Sequence, residues 1–346
     1  MKRILALIFL LGMGLTHLDA ADGPKVTTGG YVDAYYSYDP AGVAPEGRVF
    51  DVSENMFRTA LVGYSVAVDG KKTGARFDGV FGQTADIVAA GNEEHKMFQQ
   101  AYVTLKAGDA IFDLGKFVTH MGYEVIPSKD NANISRSFLF GYTIPFDHTG
   151  LRVSKPLGGG VKAMACLLDS GWAAEFSANT DKTLGFQLSV PFAGGTVVAN
   201  GIYGAEGAGD VSSRRAVGEL ILTNRIGEAF SIGLDGVYGQ QDDPVDETVV
   251  VWGGVAGYVS CNLNEDWIIS GRFEQFNAAD LWGVVVREGT LTVARKIENL
   301  LLRAEYRVDL AFDREGDAVG SFPTSDPARG PVSTQRTLGA GAVLSF

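Results

Sequence analysis

The stretch Leu300 to Phe312 constrains the fold more than any other part of the chain. One face of an extended backbone would carry Leu300, Leu302, Ala304, Tyr306, Val308, Leu310 and Phe312. The other would carry Leu301, Arg303, Glu305, Arg307, Asp309 and Ala311. Successive side chains of a strand point to opposite faces, so this segment is apolar on one side and charged on the other. It exceeds the usual globular strand of about 5 to 6 residues and meets the roughly 9 to 11 that a tilted membrane strand needs. In a water-soluble sandwich the apolar side would be the inside. A membrane barrel reverses this, with apolar side chains toward lipid and charged ones toward a wet lumen.

The same period recurs elsewhere. Lys182 to Val190 sets Leu184, Phe186, Leu188 and Val190 against Gly185, Gln187 and Ser189. Trp267 to Phe276 sets Arg272 and Glu274 against Ile269 and Phe273, and Thr73 to Gln83 sets Arg76 and Asp78 against Phe77 and Phe81. Turn residues divide the chain into strands at 27–39, 55–68, 73–83, 97–107, 110–117, 146–155, 160–169, 182–190, 195–204, 214–223, 229–240, 248–261, 266–276, 283–297, 300–312 and 334–346. Short gaps rich in glycine, asparagine and aspartate, such as Asp69 to Lys72 and Glu298-Asn299, have hairpin chemistry. They alternate with long gaps at 40–54, 84–96, 118–145, 170–181, 205–213, 241–247, 277–282 and 313–333. Short turns on one side and longer loops on the other are the asymmetry of an outer-membrane barrel. The expected fold is therefore all-β, a transmembrane antiparallel up-and-down barrel of about sixteen strands, with 14 and 18 as alternatives and both termini on the periplasmic side.

The amino terminus gives the compartment. Met1-Lys2-Arg3 is followed by an apolar run from Ile4 to Leu15 and small residues at Ala20 and Ala21. That is a secretory signal, expected to be cleaved after Ala20, and too short to span a membrane. Residues 21–346 are then expected to form a single outer-membrane β-barrel domain. No later run reaches the ~18 apolar residues of a membrane helix. Loss of residues 1–20, with Lys2, Arg3 and Asp19, moves the formal charge from −12 to −13. An acidic chain argues against nucleic acid, which wants clustered Lys and Arg. The 45 glycines suit turns and pleated strands better than helices. Cys166 and Cys261 fall in separate strands and read as small buried hydrophobes rather than a bridge.

About 16 to 18 strands leave an aqueous channel unless something plugs it. Lumen faces bearing Arg76, Asp78, Arg272, Glu274, Arg303, Glu305, Arg307 and Asp309 suit a hydrated interior, where they either set ion selectivity or pair to solvate the wall. The longest connection, Val118 to Pro145, is third among the long loops. Its Tyr123, Ile126, Ile134, Phe138, Leu139, Phe140 and Tyr142 need a surface to bury against. The barrel interior is the available one. An inward fold makes Glu124, Lys129, Asp130 and Arg136 candidate lining charges, and an external cap or trimer contact is the alternative.

Gly115-Lys116-Phe117, then Gly122, Glu124, Asn133, Ser135-Arg136-Ser137 and Pro145 through Arg152 resemble the core motif of the OmpL-like family of outer-membrane β-barrel porins. The similarity is strongest over about residues 110 to 155, with Gly30 to Tyr35 and the strand rhythm extending it loosely. The resemblance implies an outer-membrane pore, and substrate does not carry over. It points to Lys116, Glu124, Arg136, His148 and Arg152 at the constriction, beside the wall charges Arg303, Glu305, Arg307 and Asp309.

The functional expectation is a water-filled channel for passive diffusion of ions and small polar solutes, without cofactor, metal or catalytic residues. Its partners would be outer-membrane lipid and lipopolysaccharide, the barrel-assembly machinery through Phe346 on the alternating final strand, and further copies in a homotrimer. The alternatives are a closed or plugged barrel acting as an adhesin or structural protein, and an outer-membrane hydrolase. The hydrolase reading is poorly served. Past the signal only His95, His120 and His148 are present, Asp147 points away from His148 on a strand, and no Gly-x-Ser-x-Gly elbow occurs. His120 and Glu124 would pair on a helical turn, yet two ligands make a weak metal site. The acidic runs at Asp242-Asp243 with Asp246-Glu247, and at Asp313 to Asp317, lack EF-hand spacing and read as solvated loop faces.

Overall fold

Sixteen antiparallel strands close into one ring in the computed structural model, which describes residues 23–89, 97–172, 180–206, 213–243, 248–322 and 331–346. The signal segment 1–20, His95 and Asp246-Glu247 lie outside the described residues. The strands are β1 Lys25–Tyr38, β2 Met56–Asp69, β3 Thr73–Phe81, β4 Phe98–Ala107, β5 Ala110–Val118, β6 Asp147–Gly158, β7 Val161–Leu168 and β8 Thr183–Phe192. They continue as β9 Gly195–Ala205, β10 Arg214–Ile226, β11 Phe230–Asp243, β12 Thr248–Asn262, β13 Trp267–Ala278, β14 Val284–Ile297, β15 Leu300–Phe312 and β16 Thr334–Ser345. Each strand pairs with its sequence neighbour. β16 returns to β1, with Tyr31 opposite Ser345 through Tyr38 opposite Leu338. Closure satisfies every strand edge, which a bilayer requires because its core offers no water to unpaired backbone groups.

The wall is polar inside and apolar outside. On β15, Arg303, Glu305, Arg307 and Asp309 are buried, while Leu302 just before them and Tyr306 among them are exposed. On β13, Phe273 is 69 % exposed between the buried Arg272 and Glu274. Such an outer surface is ruinous in water and correct in lipid. Where the sequence puts Glu298-Asn299 at a two-residue turn, Glu298 takes a φ of 55°, the left-handed backbone such a hairpin needs. Cys166 and Cys261 are both free, on β7 and β12.

Short turns sit at the end of the ring that holds Lys25 and Ser345, and the long connections leave the opposite end. Connections 39–55 and 119–146 carry residues buried against the inner wall, as does the short helix Gln83–Val88 after β3 through Thr84 and Ala85. Segment 119–146 holds a 3-10 turn at Ser128–Asp130 and a helical turn at Phe138–Tyr142, capped by Ser137 accepting from the Phe140 N–H. It is thus partly regular. Its apolar residues find the surface their composition demands. Ile126, Ile134, Phe138, Leu139 and Phe140 are buried, Phe138 stacking on Phe276 of β13 and Tyr123 on Tyr258 of β12.

Candidate functional site

The lumen is organised by how segment 119–146 is held. Three wall carboxylates accept its backbone N–H groups. Glu219 of β10 takes Gly122 at 2.9 and 3.0 Å, Glu305 of β15 takes Ile134 and Ser135 at 2.6 and 3.0 Å, and Glu274 of β13 takes Phe138 at 2.9 Å and Leu139. Three wall arginines donate to its carbonyls. Arg272 bonds Ser135 at 2.7 Å, Arg307 bonds Arg136 at 2.6 Å, and Arg303 reaches Ser128 and Asn133 at 2.8 and 3.0 Å. The wall reads the loop's backbone, and each charge it buries gains partners that offset the loss of water.

Ion pairs tie the same region together. Arg272 lies 2.8 Å from Glu124 and 2.7 Å from Glu288, while Glu124 also accepts from the Ser137 N–H at 2.8 Å. Arg307 and Arg48 share Asp309 from opposite sides, each at 2.7 Å, and Arg48 also meets Asp51 at 2.6 Å. Arg48 belongs to the first connection, so two inward segments are fixed to β15. Its guanidinium also donates to Thr337 of β16 at 2.8 Å. Neither Arg48, Glu219 nor Glu288 stood out in the sequence. Glu219 and Glu288 occupy alternate positions on otherwise unremarkable strands, and nothing local marks Arg48.

The nine residues singled out by sequence fall into two groups. Glu124, Arg136, Arg303, Glu305, Arg307 and Asp309 converge on the loop–wall network. Arg136 spends its donors on carbonyls of its own loop, those of Ile134, Ile126 and Val125, and its guanidinium lies over the Phe50 ring at 5.0 Å. Lys116, His148 and Arg152 gather instead on β5 and β6. Lys116 is 3.3 Å from Asp147, Arg152 is 2.8 Å from Asp113 with its guanidinium over the Phe117 ring at 4.5 Å, and His148 Nε2 is 3.0 Å from the Thr119 hydroxyl. Of the nine, Glu124 alone borders the open cavity described below.

The helical-turn pairing of His120 and Glu124 is not formed. No helix covers those residues, and Glu124 turns to Arg272 while His120 Nε2 lies 3.3 Å from the Gly201 carbonyl. Burial, the dominant cause, pushes the His120 imidazole down to about 4, with the Gly201 carbonyl opposing part of that shift. Among the described residues no group of three or more His, Cys, Asp or Glu is placed to hold a metal.

Open space remains on the other side of the loop. A cavity of about 460 Å³ lies between it and β1 to β5, bordered by Tyr31, Arg76, Asp78, Gln99 and Gln100 on the wall and by Glu124, Lys129 and Asp130 on the loop. It extends to Phe346 beside the β1–β16 seam.

A model of the family described as "beta-barrel porin-2, OmpL-like" matches residues 25–346. The chain belongs to this family of β-barrel porins. As a porin of that family it resides in the outer membrane and forms a channel there. Solved porins share its fold at low identity. The outer membrane channel DcaP of Acinetobacter baumannii aligns with TM-score 0.67 at 12 % identity, over 96 % of this chain and 100 % of that one. An anion-selective porin from Comamonas acidovorans aligns with TM-score 0.66 at 11 % identity, over 93 % of this chain and 100 % of that one. The trimer form of OmpT of Vibrio cholerae aligns with TM-score 0.62 at 12 % identity, over 94 % and 100 %. A comparison with curated proteins finds no match.

Proposed function

We propose that this porin passes ions and small polar solutes by passive diffusion along an off-centre aqueous path between segment 119–146 and the wall of β1 to β5. The observation that carries the reading is the division of the lumen. On the side of β10 to β15 the loop backbone is bonded to Glu219, Glu274, Arg303, Glu305 and Arg307, while on the side of β1 to β5 there is a cavity of about 460 Å³. The loop narrows the path. Glu124 stands on it, and Arg136, Arg303, Glu305, Arg307 and Asp309 hold the loop that shapes it. Lys116, His148 and Arg152 stiffen the wall where the loop departs from β5 and rejoins at β6. The protein acts as a channel and not as an enzyme.

The exported form would be residues 21–346 after removal of residues 1–20, a single barrel seated in lipid and lipopolysaccharide. Phe346, whose N–H donates to the Gly30 carbonyl at 2.9 Å, would be the group read by the assembly machinery. A homotrimer is the proposed assembly, supported by the trimeric OmpT that shares the fold.

Liposome swelling tests the path. Vesicles carrying the refolded protein should swell in pentoses faster than in hexoses and barely in trisaccharides. Folded protein that admits none of these sugars would refute the open path and leave a plugged barrel.

A further inference from the structure

The open cavity presents its charges in neutralised pairs, which bears on what it admits. On the wall, Arg76 Nε is 3.0 Å from Asp78, which also accepts from Gln100. On the loop facing it, Lys129 is 2.7 Å from Asp130. All four side chains border the cavity, with relative exposures of 42 and 11 % for the first pair and 30 and 52 % for the second. Glu124 is the one other charged side chain among the described residues there, and Arg272 stands 2.8 Å behind it. Each of these two exposed pairs therefore sums to no net charge, while Glu124, 3 % exposed, shares Arg272 with Glu288 and the terminal carboxylate of Phe346 stands at the seam end of the cavity. A ring of one sign concentrates one ion and excludes the other. A charge paired within about 3 Å instead leaves a dipole, whose field dies away faster than that of a free charge and is screened further by salt. Gln99 and Ser65 add side chains that both donate and accept hydrogen bonds. The formal charge of −12 on the whole chain would argue for cations. The local pairing decides otherwise.

We infer that the passage is matched to small polar solutes of no net charge, zwitterionic or uncharged, and distinguishes weakly between cations and anions. The inference rests on the diffusion path proposed above. Reversal potentials in planar bilayers under a KCl gradient test it, using wild type, Lys129→Gln and Asp130→Asn, whose side chains lie on the cavity surface. Wild type should show a cation-to-anion permeability ratio within about threefold of unity. K129Q should shift the potential toward cations and D130N toward anions, in opposite directions and by similar amounts. A wild-type preference beyond about tenfold for either sign, or variants that both leave the potential where it was, would overturn the inference while keeping the path. Complete absence of conductance would overturn the path itself, and this inference with it.

Discussion

Arg272 of β13 and Glu124 of the inward loop meet at 2.8 Å, both essentially without solvent exposure and 148 residues apart in sequence. Arg272 also holds Glu288 and the Ser135 carbonyl, so one guanidinium joins two strands to the loop. Arg272→Met would strand two buried carboxylates, a loss of about 3 to 5 kcal/mol for breaking a buried pair. The double variant with Glu124→Gln should recover part of it, because the cost lies in the uncompensated charge. Unfolding in detergent, followed by the gel shift of heated against unheated protein, measures both.

Gly122 begins the inward course of the loop. Its φ is 101°, and a Cβ there would stand 2.7 Å from Ile144 Cδ1 and 3.0 Å from the Glu124 carbonyl oxygen. Its N–H must also reach Glu219. Gly122→Ala should cost about 1 to 3 kcal/mol of local strain and displace the loop, not the barrel. The expected signature is unchanged β content with altered solute exclusion in liposome swelling.

Phe273 tests which side of the wall faces lipid. It is outward and mid-strand, opposite Gly257 and Gly289. Phe273→Arg should cost about 2 to 4 kcal/mol, the penalty for arginine on the lipid face near the bilayer centre, whereas Phe273→Leu should be nearly neutral. Urea titration into lipid vesicles would distinguish them.

Acid should loosen the region around His120. Its imidazole is held down at about 4, below its ordinary value, so the unfolded chain binds the proton first as pH falls. The stability it supports is complete above about 6.5 and is lost as pH falls from there toward about 4. The Gly201 carbonyl, the His148 ring 5.8 Å away and the charge of Arg152 are the groups that face it. Melting temperature measured from pH 7 down to pH 4.5 should drop, and His120→Gln should lessen the drop.

The barrel was legible because its signal is local. Leu300–Phe312 is a strand over the same residues that its alternation marks, and Glu298-Asn299 is the turn its chemistry suggests. Period two and a glycine- or asparagine-bearing turn can each be read within a dozen residues. The inward course of 119–146 was legible too, since Phe138, Leu139 and Phe140 had to bury somewhere. The partners were not. Glu305 binds the N–H groups of Ile134 and Ser135, and every residue but proline carries such a donor, so no side-chain pattern announces the match. Lumen charges read as candidates for the ion path, such as Arg303 and Arg307, are taken up by loop carbonyls instead. Arg48 was invisible for the same reason, because its meeting with Asp309 spans 261 residues.

Single-channel conductance in planar bilayers tests the central claim, that a clamped inward loop narrows the lumen. Wild type should give discrete, long-lived steps, and deletion of residues 131–141, which removes the bonds to Glu274 and to Glu305, should raise the step size severalfold and make the current noisier. Equal conductance in wild type and deletion, both folded and heat-modifiable, would contradict the account.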